Sequence, residues 1–162
     1  RKRHFKRPPL APLTFGGGQE RGVRPGTVPV ELVAGLGLAA QLAADENESR
    51  KIKCLEFRSR LLIGLSDLQV KINGDLERTV HSTVNLSIPG IDSEAAMLAT
   101  KNFVAISNGS ACTSAGHEPS YVLQSMGYPA DRVTGALRWS WSHSTPTPDG
   151  DQIRAALRQL QL

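Results

Sequence analysis

From Glu48 onward, stretches with apolar residues at helical spacing alternate with short stretches in which every second residue is apolar. One segment cannot serve both periods, because a helix returns a side chain to the same face every 3.6 residues and a strand every two. Ser82-Thr83-Val84-Asn85-Leu86-Ser87-Ile88 has period two and is ended by Pro89-Gly90, and residues 136–141 alternate in the same way. Val70-Lys71-Ile72-Asn73-Gly74-Asp75 reads as a short strand and turn, and residues 103–106 as another short strand. Between the strands, Asp92 or Ser93 can cap a helix running to about Lys101, with Glu94 in its first turn. Glu118-Pro119 opens a helix that Gly127 closes. Pro148-Asp149 begins a last one, with Ile153, Ala156, Leu157 and Leu160 facing inward. This order predicts a small α/β or α+β domain.

The N-terminal part obeys different rules. Residues 1–27 are rich in proline and glycine and carry no apolar period, so they can build no core of their own. From Pro29 to Asp45, helical spacing returns through Val30, Val33, Leu36 or Gly37, Ala40 and Ala44, with Leu32, Leu38 and Leu42 widening the face. Gly35 and Gly37 would each cost about 1 kcal/mol relative to alanine in an exposed helix, so the expectation is a buried helix closely packed on another element. Asp45-Glu46-Asn47-Glu48-Ser49 interrupts the apolar pattern. A second helix is expected to follow to about Ser66 through Ile52, Leu55, Leu62 and Leu65, with a domain boundary at the break.

A chain of 162 residues, 40% hydrophobic and 21% charged, has room for one domain, or for a small domain and part of another. No apolar run approaches the roughly 18 to 20 residues a membrane helix needs, and no signal peptide opens the chain. No membrane association and a cytoplasmic setting are therefore expected. Five of the 19 basic residues stand among the first seven, leaving 14 against 15 acidic ones, so the net charge of +4 belongs to one short segment. Such a segment can neutralise phosphates of nucleic acid, but the plainer reading is a solvated stretch, and direct nucleic-acid binding is not expected.

There are two cysteines, too few for a disulfide framework. Cys54 lies within a helical pattern and reads as a small buried hydrophobe. Cys112 lies in Ser107-Asn108-Gly109-Ser110-Ala111-Cys112-Thr113-Ser114-Ala115, among small and hydroxylated residues that would not hold it in a core. That is the setting of a thiol that reacts. The thiolate is the nucleophile, and an ordinary thiol ionises only near pH 8.5, so Cys112 needs a cation, a helix end or a cofactor base beside it. His117 is near in sequence, which leaves a Cys-His hydrolase open without establishing a dyad. No metal site is expected, because no cysteine or histidine pair stands at zinc-ligand spacing.

Two further segments carry chemistry. In Gly16-Gly17-Gly18-Gln19-Glu20-Arg21-Gly22-Val23-Arg24-Pro25-Gly26-Thr27, just before a helix, glycines let backbone amides approach an anion, Arg21 and Arg24 supply charge, and Thr27 offers a hydroxyl. The spacing is neither the dinucleotide fingerprint nor the P-loop, and a phosphate or carboxylate ligand is expected. Arg138 stands in the strand Leu137-Arg138-Trp139-Ser140-Trp141, where burial is costly unless a carboxylate pairs with it. That carboxylate is either a structural Asp or Glu or part of a substrate.

Together these segments resemble the C-terminal part of the NifS/IscS-like cysteine desulfurases, pyridoxal phosphate enzymes related to class V aminotransferases. The resemblance is carried by residues 16–27 (GGGQERGVRPGT), 107–114 (SNGSACTS), 118–123 (EPSYVL) and 136–140 (ALRWS). It implies an α/β fold of the fold-type I transferases, residues 1–47 ending the large cofactor domain and residues 48–162 forming the small α+β C-terminal domain. It implies that Cys112 is the loop cysteine that takes sulfur from L-cysteine as a persulfide, releasing L-alanine and passing sulfur to an acceptor protein. Arg138 matches the arginine that grips the substrate carboxylate. Thr27 matches the threonine that reaches the cofactor phosphate of the other subunit of a homodimer. The family's cofactor-binding lysine follows a histidine, and none of Lys2, Lys6, Lys51, Lys53, Lys71 or Lys101 has that context. The Schiff-base lysine is therefore expected outside this chain, the last part of a longer protein, inactive alone and completed by its missing N-terminal part. Trp141-Ser142-His143 also departs from the glycine and basic residue usual in the family. The destination of the sulfur stays open among iron-sulfur cluster assembly, tRNA thiolation and DNA phosphorothioation of the DndA type. The alternative is a nucleic-acid-binding or scaffold fragment that uses the basic N-terminus, with Cys112 incidental.

Overall fold

The computed structural model describes residues 10–108 and 119–161. The chain divides into two compact units, Arg1–Glu46 and Asn47–Leu162.

In the first unit the glycine-rich segment leads into α1 (Val30–Gly64), which begins where helical spacing begins. The expected break at Asp45-Glu46-Asn47-Glu48-Ser49 is not there: α1 runs through it as one helix of 35 residues. Those five residues are polar but include neither proline nor glycine, so they end the apolar pattern without breaking the backbone ladder. Glu48 and Lys51, one turn apart, form an ion pair at 3.2 Å. The expectation of a buried helix at residues 29–45 is also overturned. Val30, Leu32 and Leu36 are each 70 or 71% exposed, and a Cβ on Gly35 or Gly37 would meet nothing within 4 Å. An amphipathic pattern states which face seeks a partner, and among the described residues nothing covers this one.

The second unit is built on an antiparallel sheet of order β1-β2-β3: β1 (Lys71–Ile72), β2 (Thr83–Ser87) and β3 (Ala136–Ser140). In the β2-β3 register, Val84 faces Trp139 and Leu86 faces Leu137, all four almost wholly buried. With Ile72 opposite Leu86, these residues form the core face of the sheet. Against it pack Cys54, Phe57 and Leu61 from the end of α1 and Leu65 just after it, together with Ile153 and Leu157. Phe57 stacks on Trp141 with ring centroids 4.8 Å apart, and Trp141 Nε1 donates to the Cys54 carbonyl at 3.1 Å. The departing residue Trp141 thus closes the core, and Cys54 is buried as expected.

The connecting helices end where their residues dictate. The Asp92 carboxylate accepts from the Glu94 and Ala95 amides to start α2 (Ser93–Thr100). Asp149 does the same for α5 (Gly150–Arg158) with Asp151 and Gln152. Ser120, rather than Pro119, caps α3 (Tyr121–Ser125), its hydroxyl accepting from the Leu123 amide. That helix stops at Gly127, whose φ of 79° lets its amide reach the Gln124 carbonyl and the Tyr128 amide the Leu123 carbonyl. A short α4 (Ala130–Thr134), not expected from the sequence, then leads into β3. No strand is assigned at residues 103–106, where one was expected: Phe103, Val104 and Ile106 pack on the core, and among the described residues the ladder contact nearby is an isolated bridge joining Ser107 to Arg138.

Candidate functional site

Arg138 sits in the middle of β3, half-buried, on the face of the sheet opposite the core. Its amide donates to the Ser107 carbonyl at 2.6 Å, and its own carbonyl accepts from the Ser107 amide at 3.1 Å. Both backbone groups are therefore spent on Ser107. Asn85 on β2, directly opposite, is left as a non-hydrogen-bonded pair, the kind in which side chains stand closer together. Among the described residues no carboxylate lies within ion-pair distance of the Arg138 guanidinium. A half-buried arginine without an acidic partner is costly, which makes an anion from outside the described residues its natural counterpart.

The same Ser107 begins the segment 107–115 that carries the thiol. Cys112 itself, with His117, lies outside the described residues. What the fold supplies is the anchoring of that segment: Ser107 is bonded to Arg138 before it, and α3 begins after it with Ser120 as its cap.

Beside Arg138 runs a polar network that the sequence reading missed. Arg132 on α4 donates from Nε to Asn73 Oδ1 at 2.7 Å and from Nη2 to the Ile72 carbonyl at 2.6 Å. Its guanidinium lies 4.1 Å above the centroid of the Tyr128 ring, and the Tyr128 hydroxyl accepts from the Gly74 amide at 3.0 Å. Asn73, 7% exposed, donates from Nδ2 to Asn85 Oδ1 at 2.7 Å and to Ser87 Oγ at 2.8 Å. The Ser87 hydroxyl donates to the Arg132 carbonyl at 2.8 Å. One signal was available beforehand: asparagine is disfavoured inside strands, and Asn85 stands in the middle of β2.

Thr27 belongs to the first unit. It is exposed and lies three residues before Val30, the first residue of α1, on the side of that helix's positive end in sequence. The loop before it is tight. Gly22 bonds back to the Gly18 carbonyl, Gly26 to the Gln19 side chain, and Glu20 and Arg21 take φ values of 50° and 62°. Two successive non-glycine residues in the left-handed region cost roughly 1 to 3 kcal/mol each, a strain that clusters at ligand sites. Arg21 and Arg24 are exposed.

The described residues hold no cluster of histidine, cysteine, aspartate and glutamate able to bind a metal, and none of their helices is long and apolar enough to cross a membrane. Each unit by itself offers groups suited to an anion: a threonine and two exposed arginines ahead of α1 in the first, and in the second Arg138, which has no carboxylate partner among the described residues.

No family model matches the chain. Over 151 residues it is 40% identical to cysteine desulfurase IscS of Photobacterium profundum, a match covering 90% of this chain and 37% of that protein. Among solved structures, a NifS-like protein from Rickettsia africae superposes with a TM-score of 0.71 at 28% identity, covering 93% of this chain and 39% of that one. DndA from Streptomyces lividans superposes with a TM-score of 0.60 at 35% identity, covering 86% and 37%. In sequence and in mixed α/β fold the chain is therefore similar to the cysteine desulfurases and their NifS-like relatives, and it spans little more than a third of their length.

Proposed function

We propose that this chain is the part of a cysteine desulfurase that takes up sulfur and binds the substrate carboxylate. It works with a cofactor-bearing part outside the chain to convert L-cysteine to L-alanine. One observation carries the reading beyond the resemblance: Arg138 has no carboxylate partner among the described residues, yet is bonded to Ser107, where the Cys112 segment begins. A carboxylate clamp and a nucleophile must serve one small amino acid, and this connection ties their supports together.

In this reading Arg138 binds the carboxylate of L-cysteine through its planar fork of donors. The Cys112 thiolate attacks the substrate sulfur, forming an S–S bond as the carbon–sulfur bond breaks. The electron pair of that bond stays with carbon, which takes a proton and leaves as L-alanine. Cys112 keeps the sulfur as a persulfide for transfer to a thiol of an acceptor protein. Pyridoxal phosphate, when bound, supplies the electron sink that lets the carbon–sulfur bond be broken. Thr27 would hold its phosphate, the donor set before α1 being suited to that group. No lysine of this chain is assigned to its aldehyde carbon. Residues 1–47 then complete the cofactor domain, residues 48–162 form the small domain, and two copies pair so that Thr27 serves the partner's cofactor. The setting is the cytoplasm. The acceptor decides whether the sulfur goes to iron-sulfur clusters, to tRNA or to DNA.

The test is sulfide release from L-cysteine, with a thiol reductant, by the complete protein that carries this segment. Cys112→Ser should abolish it, and Arg138→Ala should raise KM by about tenfold or more. Wild-type release by Cys112→Ser would remove the assigned nucleophile.

A further inference from the structure

Three donors and acceptors in a row give the amide of Asn85 a defined direction. The Arg132 guanidinium can only donate, so the Asn73 atom it meets through Nε is the oxygen. That leaves Asn73 with Nδ2 toward Asn85, and the Asn85 atom receiving it must in turn be its oxygen. The Asn85 Nδ2, with two hydrogens, is then left over. Asn85 is neither buried nor fully exposed, and among the described residues nothing accepts from its Nδ2. It stands directly across from Arg138 on the same sheet face, in the closer of the two kinds of antiparallel pair.

We propose that Asn85 is a second carboxylate donor of the substrate site, its Nδ2 bonding the same anion that Arg138 holds, and that Asn73 and Arg132 are positioning residues that set its polarity. This rests on the reading of Arg138 given above and extends it. A guanidinium alone attracts any anion. A guanidinium and an amide fixed side by side match the two oxygens of one carboxylate and resist replacement by a neutral ligand. Asn73 is buried and bonded on both sides, and Arg132 is held by the Ile72 carbonyl and the Tyr128 ring, so Asn85 has no low-cost route to turn its oxygen outward.

The experiment uses the complete, cofactor-loaded protein in a Cys112→Ser background, where substrate binds without turnover. Affinity is read from the change in the cofactor's visible spectrum on titration with L-cysteine and, separately, with cysteamine, which lacks the carboxylate. Asn85→Asp keeps an oxygen for Asn73 Nδ2 and nearly the same shape, but replaces the outward donor by an acceptor. Asn85→Ala removes the donor and the oxygen together. The expected result is a loss of L-cysteine affinity of roughly tenfold or more in both variants, with cysteamine affinity unchanged. Arg138→Ala, measured alongside, should lose at least as much. Unchanged L-cysteine affinity in a folded Asn85→Asp variant, with Arg138→Ala impaired, overturns the assignment of Asn85 and leaves that of Arg138 standing. Equal losses for L-cysteine and cysteamine would make Asn85 merely structural and overturn it as well. Unchanged affinity in Arg138→Ala overturns the clamp itself.

Discussion

Replacing Gly135 by alanine sets two effects of similar size against each other. Gly135 joins α4 to β3 with φ −82° and ψ 7°, a conformation any residue can adopt. Alanine there would restrict the unfolded chain and on that account stabilise the fold by about 0.4 to 1 kcal/mol. The space is already taken, however. A Cβ on Gly135 would lie 2.8 Å from the Ile91 carbonyl oxygen and 3.2 Å from that of Asp131. Neither oxygen can swing aside as a side-chain tip could. Asp131 O already accepts the Gly135 amide at 3.1 Å, and Ile91 is buried and bonded back to the Ile88 carbonyl. Forcing a methyl group into such a site costs typically 1 to 3 kcal/mol, so sterics win and the net loss should be about 1 to 2 kcal/mol. The assay is urea unfolding of the 162-residue chain, followed by tryptophan fluorescence. Trp139 and Trp141, the two tryptophans of the chain, are both buried in the second unit and report on it alone. With m near 2 kcal/mol/M the midpoint should fall by roughly 0.5 to 1 M at unchanged slope. A midpoint at or above that of the wild type would mean that Ile91 and Asp131 relax freely, and would refute the argument from close approach.

Other consequences are more direct. Leu61→Ala, at a side chain 1% exposed in the core, should cost about 2 to 5 kcal/mol in the same assay. Arg132→Met should cost about 2 to 4 kcal/mol, because it strips the buried Asn73 Oδ1 and the Ile72 carbonyl of their donors while keeping most of the side-chain volume. Asp149→Ala removes the acceptor for two amides at the start of α5 and should cost about 1 kcal/mol, whereas Asp149→Asn should cost much less.

The features that could be read in the sequence are those set by near neighbours. Residues 82–88 and 136–141 carry the period-two pattern of β2 and β3 because one face of that sheet is core, and Asp92, Gly127 and Asp149 mark helix ends through groups within a few residues of themselves. Polarity alone was a poor guide at residues 45–49, where the helix needed only residues compatible with its backbone. The apolar face of residues 29–45 was legible as a face, but a pattern does not say whether its partner is in the same chain. At residues 103–106 the apolar run reflects packing on the core rather than pairing, which a period cannot distinguish. Of the site, Arg138 was conspicuous as a charge inside an apolar strand. The network beside it was not legible, since Arg132 meets Asn73 across 59 residues of sequence and only the β1-β2-β3 order brings them together. Cys112 was singled out by its neighbours in sequence and lies outside the described residues.

The most direct test of the proposed function follows the sulfur atom. The complete protein is incubated with L-cysteine, trapped with an alkylating reagent and digested, and the peptide containing Cys112 is weighed by mass spectrometry. One additional sulfur atom is expected on Cys112, removed by a thiol reductant and formed in step with L-alanine. L-Alanine formed by the wild-type protein with no sulfur ever carried on Cys112, or formed undiminished by Cys112→Ser, would contradict the proposed function.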